Sequence, residues 1–441
     1  MMFAMAENTD FRNGIEIPKA LSTTIADFGK EIQDFNERKA SASEFLETII
    51  ASGLGLESSD LHFETEEKET RLRIRVDGVL NDVARIDKDS YALILSRIKL
   101  LGGLKLNIRD AAQDGRFTVR VSDPGIDVEI RVSVNPAKFG ETAVLRLLNP
   151  KTISLDVSDL GLRKDDESLM ADELKRPNGM VLVTGPTGSG KTTTLYAFLK
   201  AVSNPDIKII TIEDPIEYRL PGIEQTQVDE SSGYTFENGL RSILRQDPDV
   251  ILVGEIRDEE TAEIALHSSL TGHLVFSTLH TNNAVGAVPR LIDLGIKPSV
   301  IGPALNVVVS QRLVRKLCEK CRETFEPTEE VKDKIKEFLA ALPEKTDKPA
   351  FEEIRIYKAI GCEACHNTGY KGRIGIFEIV RFDKEFASII NEKTTELDIE
   401  KAAIERGFVG VQADGLIKAL RGVTSIEEVE RQTGPVDWKI V

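Results

Sequence analysis

A glycine-rich segment between an apolar strand and a helix places the strongest constraint on how this chain folds. The segment Gly185–Thr192 has the pattern G-x-x-x-x-G-K-[ST] and follows the apolar run Met180–Val183. Its glycines allow backbone N–H groups to turn towards phosphate oxygens, and the first turn of the helix adds partial positive charge. The sequence therefore predicts a phosphate-binding loop made by Gly185, Pro186, Thr187, Gly188, Ser189, Gly190, Lys191, Thr192 and Thr193.

Two side chains of this loop have specific expected roles. Lys191 is expected to reach the β- and γ-phosphates, and the hydroxyl of Thr192 is expected to bind Mg²⁺. The chain contains no Asn-Lys-x-Asp motif, which would indicate a guanine-reading site. We therefore predict ATP and Mg²⁺ as cofactors.

Apolar strands alternate with helices from about residue 160 onwards. After residues 180–183, further strands are predicted at 207–212, 250–253 and 274–276. Continuous apolar strands separated by helices are typical of a buried, mostly parallel sheet. Ligands of such sheets lie beyond the carboxyl ends of the strands, so polar residues at those ends are the candidates for chemistry.

Three such residues stand out. Glu255 is the candidate to polarise an attacking water, although it alternatively caps the next helix; a generic Walker B motif has Asp one position earlier, where this chain has Gly254. Glu213 belongs to an acidic cluster that indicates bound metal or ordered water, or alternatively a solvated loop. His280 is a candidate sensor of the γ-phosphate, or alternatively a structural histidine.

The first 161 residues have a different pattern from the rest of the chain. Residues 1–40 are polar and weakly patterned, which predicts a tail or linker. Residues 41–148 combine a helical start with ribbons of period two, which predicts a small α+β domain. Residues 149–161 begin with Asn-Pro and are polar, which predicts a hinge linker.

One predicted hairpin of this small domain carries two arginines on its polar face. Matching the apolar faces across the turn places Arg116 opposite Arg131 or one register step from it. Two neighbouring guanidinium groups repel unless an anion lies between them. The alternative is that both arginines are solvated and pair with Asp127 or Glu129.

Four cysteines form two pairs with the spacing C-x-x-C. In a cytosolic chain this spacing indicates metal binding rather than disulfides, with free buried thiols as the alternative. Four thiolates fill a tetrahedral Zn²⁺ site and leave no open position, so the predicted site is structural. The predicted zinc ligands are Cys318, Cys321, Cys362 and Cys365.

Composition limits the class of partner. The 441 residues carry a formal net charge of -16 and include one Trp and six Tyr, which argues against a nucleic-acid footprint or base-stacking platform. No long uncharged apolar run and no secretory signal are present, which predicts a cytoplasmic protein.

The ordered motifs resemble the family of type IV pilus assembly and type II secretion ATPases, over roughly residues 41–430. The similarity covers the Walker A loop, an aspartate box at 213–215, a Walker B motif at 254–258 and a histidine box around His280. Upstream, residues 59–62, 71–78 and 113–116 also match. The histidine box reads Asn282-Asn283, where Asn-Asp is more usual.

The resemblance implies an α/β, RecA-like P-loop domain over residues 162–441, preceded by a PAS-like small domain. The RecA-like domain would include a tetracysteine zinc subdomain at 316–378 and C-terminal helices at 379–441. The resemblance also implies a homo-hexamer that binds ATP between the two domains, with Arg116 and Arg131 contacting the phosphates. Cysteine pairs are typical of the assembly and secretion branches rather than the retraction branch.

By the same resemblance, the expected function is an ATP-hydrolysing motor that drives pilus or pseudopilus assembly. It would act at the cytoplasmic face of the inner membrane, attached through a platform protein. Extension motors of the family usually carry a further N-terminal docking domain; here residues 1–40 precede the small domain. The alternatives are a nucleic-acid-translocating motor and a scaffold that binds nucleotide without hydrolysing it.

Overall fold

A seven-stranded sheet organises the first of two units into which the chain divides, residues 1–152. The computed structural model describes residues 14–21, 24–149, 155–351, 355–392 and 394–438. The strand order is β1-β5-β6-β7-β2-β3-β4, with all neighbours antiparallel except β1 and β5. The strands are β1 (Gly14–Lys19), β2 (Asp60–Thr65), β3 (Glu69–Val76), β4 (Val79–Asp87), β5 (Gln113–Asp123), β6 (Ile126–Ala137) and β7 (Gly140–Leu148).

Three helices cover one face of this sheet's strands, because alternate residues of the strands are apolar and buried. The turn at Asp77-Gly78 forms as predicted, with positive φ at both residues. Ser41 also caps a helix as predicted, since its hydroxyl accepts a hydrogen bond from the Glu44 N–H at 3.2 Å. The helices are α1 (Ile25–Arg38), α2 (Ala42–Gly55) and α3 (Lys88–Leu101).

The predicted tail or linker over residues 1–40 is wrong for the part of it that the structure describes. Strand β1 pairs in parallel with β5, and Ile17 is buried at its centre. In α1, Phe28 and Ile32 are fully buried in the core of the first unit. The apolar residues of this segment therefore extend the sheet and its helical layer. Residues 1–13, 22 and 23 lie outside the described residues.

A second seven-stranded sheet organises residues 153–441, in the order β10-β9-β11-β12-β8-β13-β16. All neighbours are parallel except β13 and β16. A two-stranded sheet joins β14 and β15. The strands are β8 (Gly179–Thr184), β9 (Ile209–Glu213), β10 (Glu224–Gln227), β11 (Val250–Val253), β12 (Leu274–Leu279), β13 (Leu305–Leu317), β14 (Glu323–Phe325), β15 (Ile356–Lys358) and β16 (Tyr370–Arg381).

Helices pack on both faces of this sheet, as the continuous apolar strands predict. Met180 and Leu182 face one apolar cluster, while Val181 and Val183 face another. The fold is therefore α/β with mixed sheets. The helices are α4 (Lys164–Glu173), α5 (Lys191–Val202), α6 (Phe236–Ile243), α7 (Glu259–Leu270), α8 (Ala287–Asp293), α9 (Pro298–Ala304), α10 (Glu329–Ala341), α11 (Lys384–Glu392), α12 (Glu396–Ile404), α13 (Val411–Leu420) and α14 (Ile426–Thr433).

Two predicted boundaries need correction. The cysteine region at 316–378 is not separate from the main sheet, because β16 is the edge strand beside β13 and runs to Arg381. The predicted C-terminal helices at 379–441 therefore start only after that strand. Of the predicted hinge at 149–161, residues 150–154 lie outside the described residues; Leu160 is buried in the second unit, and its carbonyl accepts a hydrogen bond from the Gly375 N–H at 3.1 Å.

Candidate functional site

The phosphate-binding loop joins a fully buried strand to a helix, as predicted. Gly185, Gly188 and Gly190 have φ values of 134°, 78° and 91°, in the region that favours glycine. A Cβ atom on Gly185 would lie 2.4 Å from the Gln311 carbonyl oxygen, so only glycine fits there. Gly190 precedes α5 and offers no side-chain cap, which leaves the first backbone N–H groups of the helix available to an anion.

The Lys191 side chain folds back over this loop. Its ammonium group donates hydrogen bonds to the carbonyl oxygens of Gly185 at 2.9 Å and Pro186 at 3.2 Å. Burial lowers the pKa of Lys191, and the negative charge of Glu255 acts in the opposite direction. The cation therefore interacts electrostatically with the loop and with the predicted catalytic acid.

Gln311 is a residue of the site that the sequence analysis missed. It is buried on β13, and its amide donates a hydrogen bond to the Ser189 carbonyl at 2.6 Å. This contact braces the phosphate-binding loop from the neighbouring strand. The available signal was a glutamine shortly after the apolar run at residues 307–309, since a buried amide needs a hydrogen-bonding partner.

The carboxyl ends of four parallel strands bring the other candidates to the same edge of the sheet. Glu255 follows β11, His280 follows β12, and their Oε2 and Nε2 atoms lie 3.1 Å apart. Arg257 donates a hydrogen bond to the other oxygen of Glu255. The alternative role for Glu255 as a helix cap is wrong, because Asp258 caps α7 by accepting from the Thr261 N–H at 2.8 Å.

The electrostatic environment keeps Glu255 ionised. Burial alone would raise its pKa, but the hydrogen bonds and charges of Arg257 and His280 outweigh burial and lower the pKa. At neutral pH the side chain is therefore a carboxylate. The glycine in the usual aspartate position has a steric reason, since a Cβ atom on Gly254 would lie 3.3 Å from the Glu213 Cα atom.

Glu213 occupies a different environment from Glu255. It is buried, and its carboxylate accepts hydrogen bonds from the hydroxyls of Tyr196 at 2.5 Å and Thr211 at 2.6 Å, and from the amide of Gln225 at 3.2 Å. The solvated-loop alternative is wrong for this residue. These three donors favour a positioning role, and direct action on the nucleotide stays a prediction.

The histidine box is fastened to the start of the phosphate-binding loop. Thr281 donates its N–H to the Thr184 hydroxyl at 3.0 Å, and the Thr184 hydroxyl lies 2.8 Å from the Thr281 carbonyl. Thr184 is the last residue of β8, directly before Gly185. Any displacement of the segment that carries His280 therefore acts on the strand that leads into the loop.

In the first unit, Arg116 and Arg131 lie directly opposite each other on β5 and β6, within the predicted range of register. Arg131 is in turn opposite Arg146 on β7. The Arg116 side chain is 71% exposed and has a 4.0 Å contact with Glu129, while Asp127 pairs with Arg120 at 2.9 Å. Arg146 is paired with Asp60 at 3.0 Å, so the group best placed to meet an anion is the exposed guanidinium of Arg116 beside Arg131.

The four cysteines converge in the second unit. Their sulfur atoms all lie within 4.8 Å of one another, with 3.9 Å between Cys318 and Cys362 and 3.7 Å between Cys321 and Cys365. Sulfurs bound at ~2.3 Å to a tetrahedral Zn²⁺ are roughly 3.8 Å apart, whereas a disulfide requires about 2.05 Å. The donor set thus fits zinc. His366 is not part of this cluster.

A phosphate-binding loop, an acid at the end of a neighbouring strand and a mostly parallel sheet together define a P-loop nucleoside triphosphatase. Residues 36–431 match the family described as type II/IV secretion system protein, and the chain belongs to this family. It is therefore an ATPase of the kind that powers secretion and pilus machines. None of the helices in the described ranges is long and apolar enough to cross a membrane.

Two relatives and one solved structure are similar to this chain. The chain is 44% identical to the type II secretion system protein E of Pseudomonas aeruginosa over 411 residues, which is 93% of this chain and 79% of the relative. It is 40% identical to the type IV pilus assembly ATPase PilB of the same organism, over 95% of this chain and 71% of that one. The crystal structure of the pilus retraction motor PilT with bound ADP aligns with a TM-score of 0.58 at 26% identity, over 88% of this chain and 97% of PilT.

Proposed function

We propose that this chain is a subunit of a hexameric motor that couples ATP hydrolysis to assembly of a type IV pilus or a type II secretion pseudopilus. Family membership supports the motor class. The observation that carries the catalytic assignment is the 3.1 Å contact between Glu255 and His280, at the sheet edge that also holds the phosphate-binding loop. This contact supports the proposal that the ionised carboxylate of Glu255 orients the nucleophilic water.

The chemistry follows from this arrangement. Glu255 accepts a hydrogen bond, and then a proton, from a water that attacks the γ-phosphorus in line with the departing ADP oxygen. The bond from the γ-phosphorus to that oxygen breaks as the new bond to water oxygen forms. Lys191 and the N–H groups at the start of α5 stabilise the charge that develops on the phosphate oxygens. His280 and Arg257 hold the carboxylate in place.

Two metals complete the proposal. Thr192, the second residue of α5, would hold Mg²⁺ through its hydroxyl, and the ion would neutralise phosphate charge. The four cysteines would hold a structural Zn²⁺ that ties the end of β13 to the loop before β16. We further assign the second unit to the RecA-like class and the first unit to the PAS-like class.

Arg116 and Arg131 are proposed to contact the phosphates of ATP from the first unit. The support is their direct cross-strand pairing, because adjacent guanidinium groups are stabilised by an anion between them. Nucleotide binding would then draw the first unit towards the phosphate-binding loop, and hydrolysis would release it. Around a ring, this cycle would move an inner-membrane platform protein at the cytoplasmic face, where the motor is attached peripherally.

The decisive experiment replaces Glu255 by Gln and compares it with Glu260→Gln, an exposed acid in the first turn of α7. Glu255→Gln should retain ATP binding but lose about 10²–10⁴-fold in kcat, since the amide cannot accept the proton. Glu260→Gln should behave as wild type. Binding is measured with a fluorescent ATP analogue and turnover by phosphate release. Wild-type turnover in Glu255→Gln would refute the assignment.

A further inference from the structure

The segment that carries His280 is held on its far side by an acid outside the nucleotide-binding motifs. We define the histidine-box loop as residues 280–283; its last residue is followed by Ala284 at the start of a buried stretch. The Ala284 N–H donates a hydrogen bond to Glu378 Oε1 at 2.6 Å. Thr281 fastens the loop to β8, so Glu378 provides a second and independent attachment.

Glu378 is buried on β16, with only 4% of its surface exposed. Its second oxygen accepts from the N–H of Val411 at 3.0 Å. Val411 is the first residue of α13, and Gly410 before it has no side chain with which to cap the helix. One carboxylate therefore caps α13 and holds the histidine-box loop, using both oxygens. Within the described ranges, no salt bridge joins it to a cation.

A second contact holds the same loop at the surface. The Asn283 amide donates to Glu396 Oε1 at 2.6 Å, and its oxygen accepts from the Gly286 N–H at 2.9 Å. Glu396 is the first residue of α12. An aspartate at position 283 would place two carboxylates against each other. The contact with Glu396 therefore explains why this chain has asparagine at position 283.

From these contacts we infer that Glu378 is a positioning residue for ATP hydrolysis: it fixes the histidine-box loop so that His280 meets Glu255. The Asn283–Glu396 contact is a weaker tether of the same loop. A cavity of about 180 Å³ lined by Asn283, Glu378 and Gln412 adjoins these contacts, so the loop has space to move when they are lost. This inference rests on the proposed catalytic role of Glu255 and His280.

The first test is Glu378→Gln in the full-length protein. An amide offers one acceptor oxygen in place of two, so either Ala284 or Val411 loses its partner. We expect kcat to fall about tenfold while KM for ATP stays within about twofold, because Glu378 bonds to Ala284 and Val411 rather than to the phosphate-binding loop, and the Thr281–Thr184 contact remains in place. Glu400→Gln, an exposed acid that lines the same cavity, is the matched control and should keep wild-type kinetics.

A purely structural role gives a different result. Glu378→Gln would then lower the melting temperature yet retain wild-type kcat below that temperature, and this outcome would overturn the inference. A raised KM with unchanged kcat would overturn it as well.

The second test avoids the buried site, in case Glu378→Gln does not fold. Asn283→Asp should lower kcat about threefold through repulsion by the Glu396 carboxylate, and Glu396→Gln in that background should restore it. Wild-type kcat in Asn283→Asp, or failure of the second substitution to restore a lowered kcat, would contradict the proposed tether.

His280→Ala separates this inference from the proposed function. If His280→Ala leaves kcat unchanged, the catalytic role of the histidine box is wrong and the inference fails with it. If His280→Ala lowers kcat but Glu378→Gln does not, the proposed function stands and only the positioning role of Glu378 is lost.

Discussion

The two sheets of this chain expose their functional groups in different ways. In the second unit, strands β8, β9, β11 and β12 are buried along their whole length, and the polar groups of the site follow the strand ends. In the first unit, β5 and β6 alternate buried and accessible residues. Its arginines therefore lie side by side across strands rather than at strand ends.

This difference follows from which faces are covered. A sheet with helices on both faces presents side chains to a ligand only beyond the ends of its strands. A sheet with one polar face presents a flat array of side chains on that face. We therefore expect the second unit to bind phosphate mainly with backbone N–H groups and Lys191. The first unit offers only long, flexible guanidinium groups. Substitutions in each unit test whether Arg116 and Arg131 are as necessary for hydrolysis as the residues at the strand ends of the second unit.

The largest expected effect concerns the cross-strand pair Arg116 and Arg131 of the first unit. Arg131→Ala should lower kcat by about 10³-fold, because an arginine that stabilises phosphate charge is worth that much in related chemistry. Arg120→Ala is the matched control, since Arg120 lies on the same face of the same hairpin and pairs with Asp127. The kcat of both variants is measured by phosphate release. Equal activity of Arg131→Ala and wild type would contradict the proposed contact of Arg131 with the phosphates.

Removal of zinc should have the next largest effect, and it should act on the second unit alone. The purified protein should contain roughly one zinc ion per chain, and a chelator or Cys362→Ser should lower the free energy of unfolding by several kcal/mol. Elemental analysis and thermal unfolding measure the two quantities. Zinc-free protein with unchanged stability would contradict a structural metal site.

A core substitution in α1 tests whether this helix stabilises the sheet that carries Arg116 and Arg131. Phe28→Ala should reduce stability by about 3–5 kcal/mol, because the ring is fully buried. Lys30→Ala, whose side chain is 76% exposed on the same helix, should change stability little. Chemical denaturation measures both. If both variants match wild type, α1 does not belong to the folded first unit.

The smallest expected effect is a shift in pH dependence at the sheet edge. Arg257 lowers the pKa of Glu255, so the carboxylate form persists to below the ordinary range and falls only in stronger acid. Arg257→Ala should raise that pKa and move the acidic limb of kcat to higher pH. Arg241→Ala, an exposed arginine paired with Glu237, is the control. An unmoved acidic limb would contradict the pairing.

Much of the site was predictable because its signals are local. The loop around Lys191 depends on a strand, glycines and a helix that are consecutive in the chain. The pairing of Arg116 with Arg131 follows from matching apolar residues across one hairpin. The cysteine pairs required only their spacing, although the sequence could not show that β16 belongs to the main sheet.

The remaining features depend on contacts between distant segments. Nothing local to Glu213 indicates that Tyr196 would donate to it, and nothing local to Ala284 indicates Glu378. The strand and helix within residues 14–38 were missed for another reason. Their local signal was present but short: Ile15 and Ile17 alternate with polar residues, and Phe28, Ile32 and Phe35 recur at helical spacing, buried against β5 and the other helices.

Strand β13 connects the phosphate-binding loop with the cysteine cluster. Gln311 braces the phosphate-binding loop from its middle, and Cys318 follows its last residue. Because β13 connects the two sites, we expect loss of the thiolate ligands to weaken the support that Gln311 gives to the loop. We therefore expect zinc depletion, or oxidation of these sulfurs, to slow ATP hydrolysis through the backbone of β13.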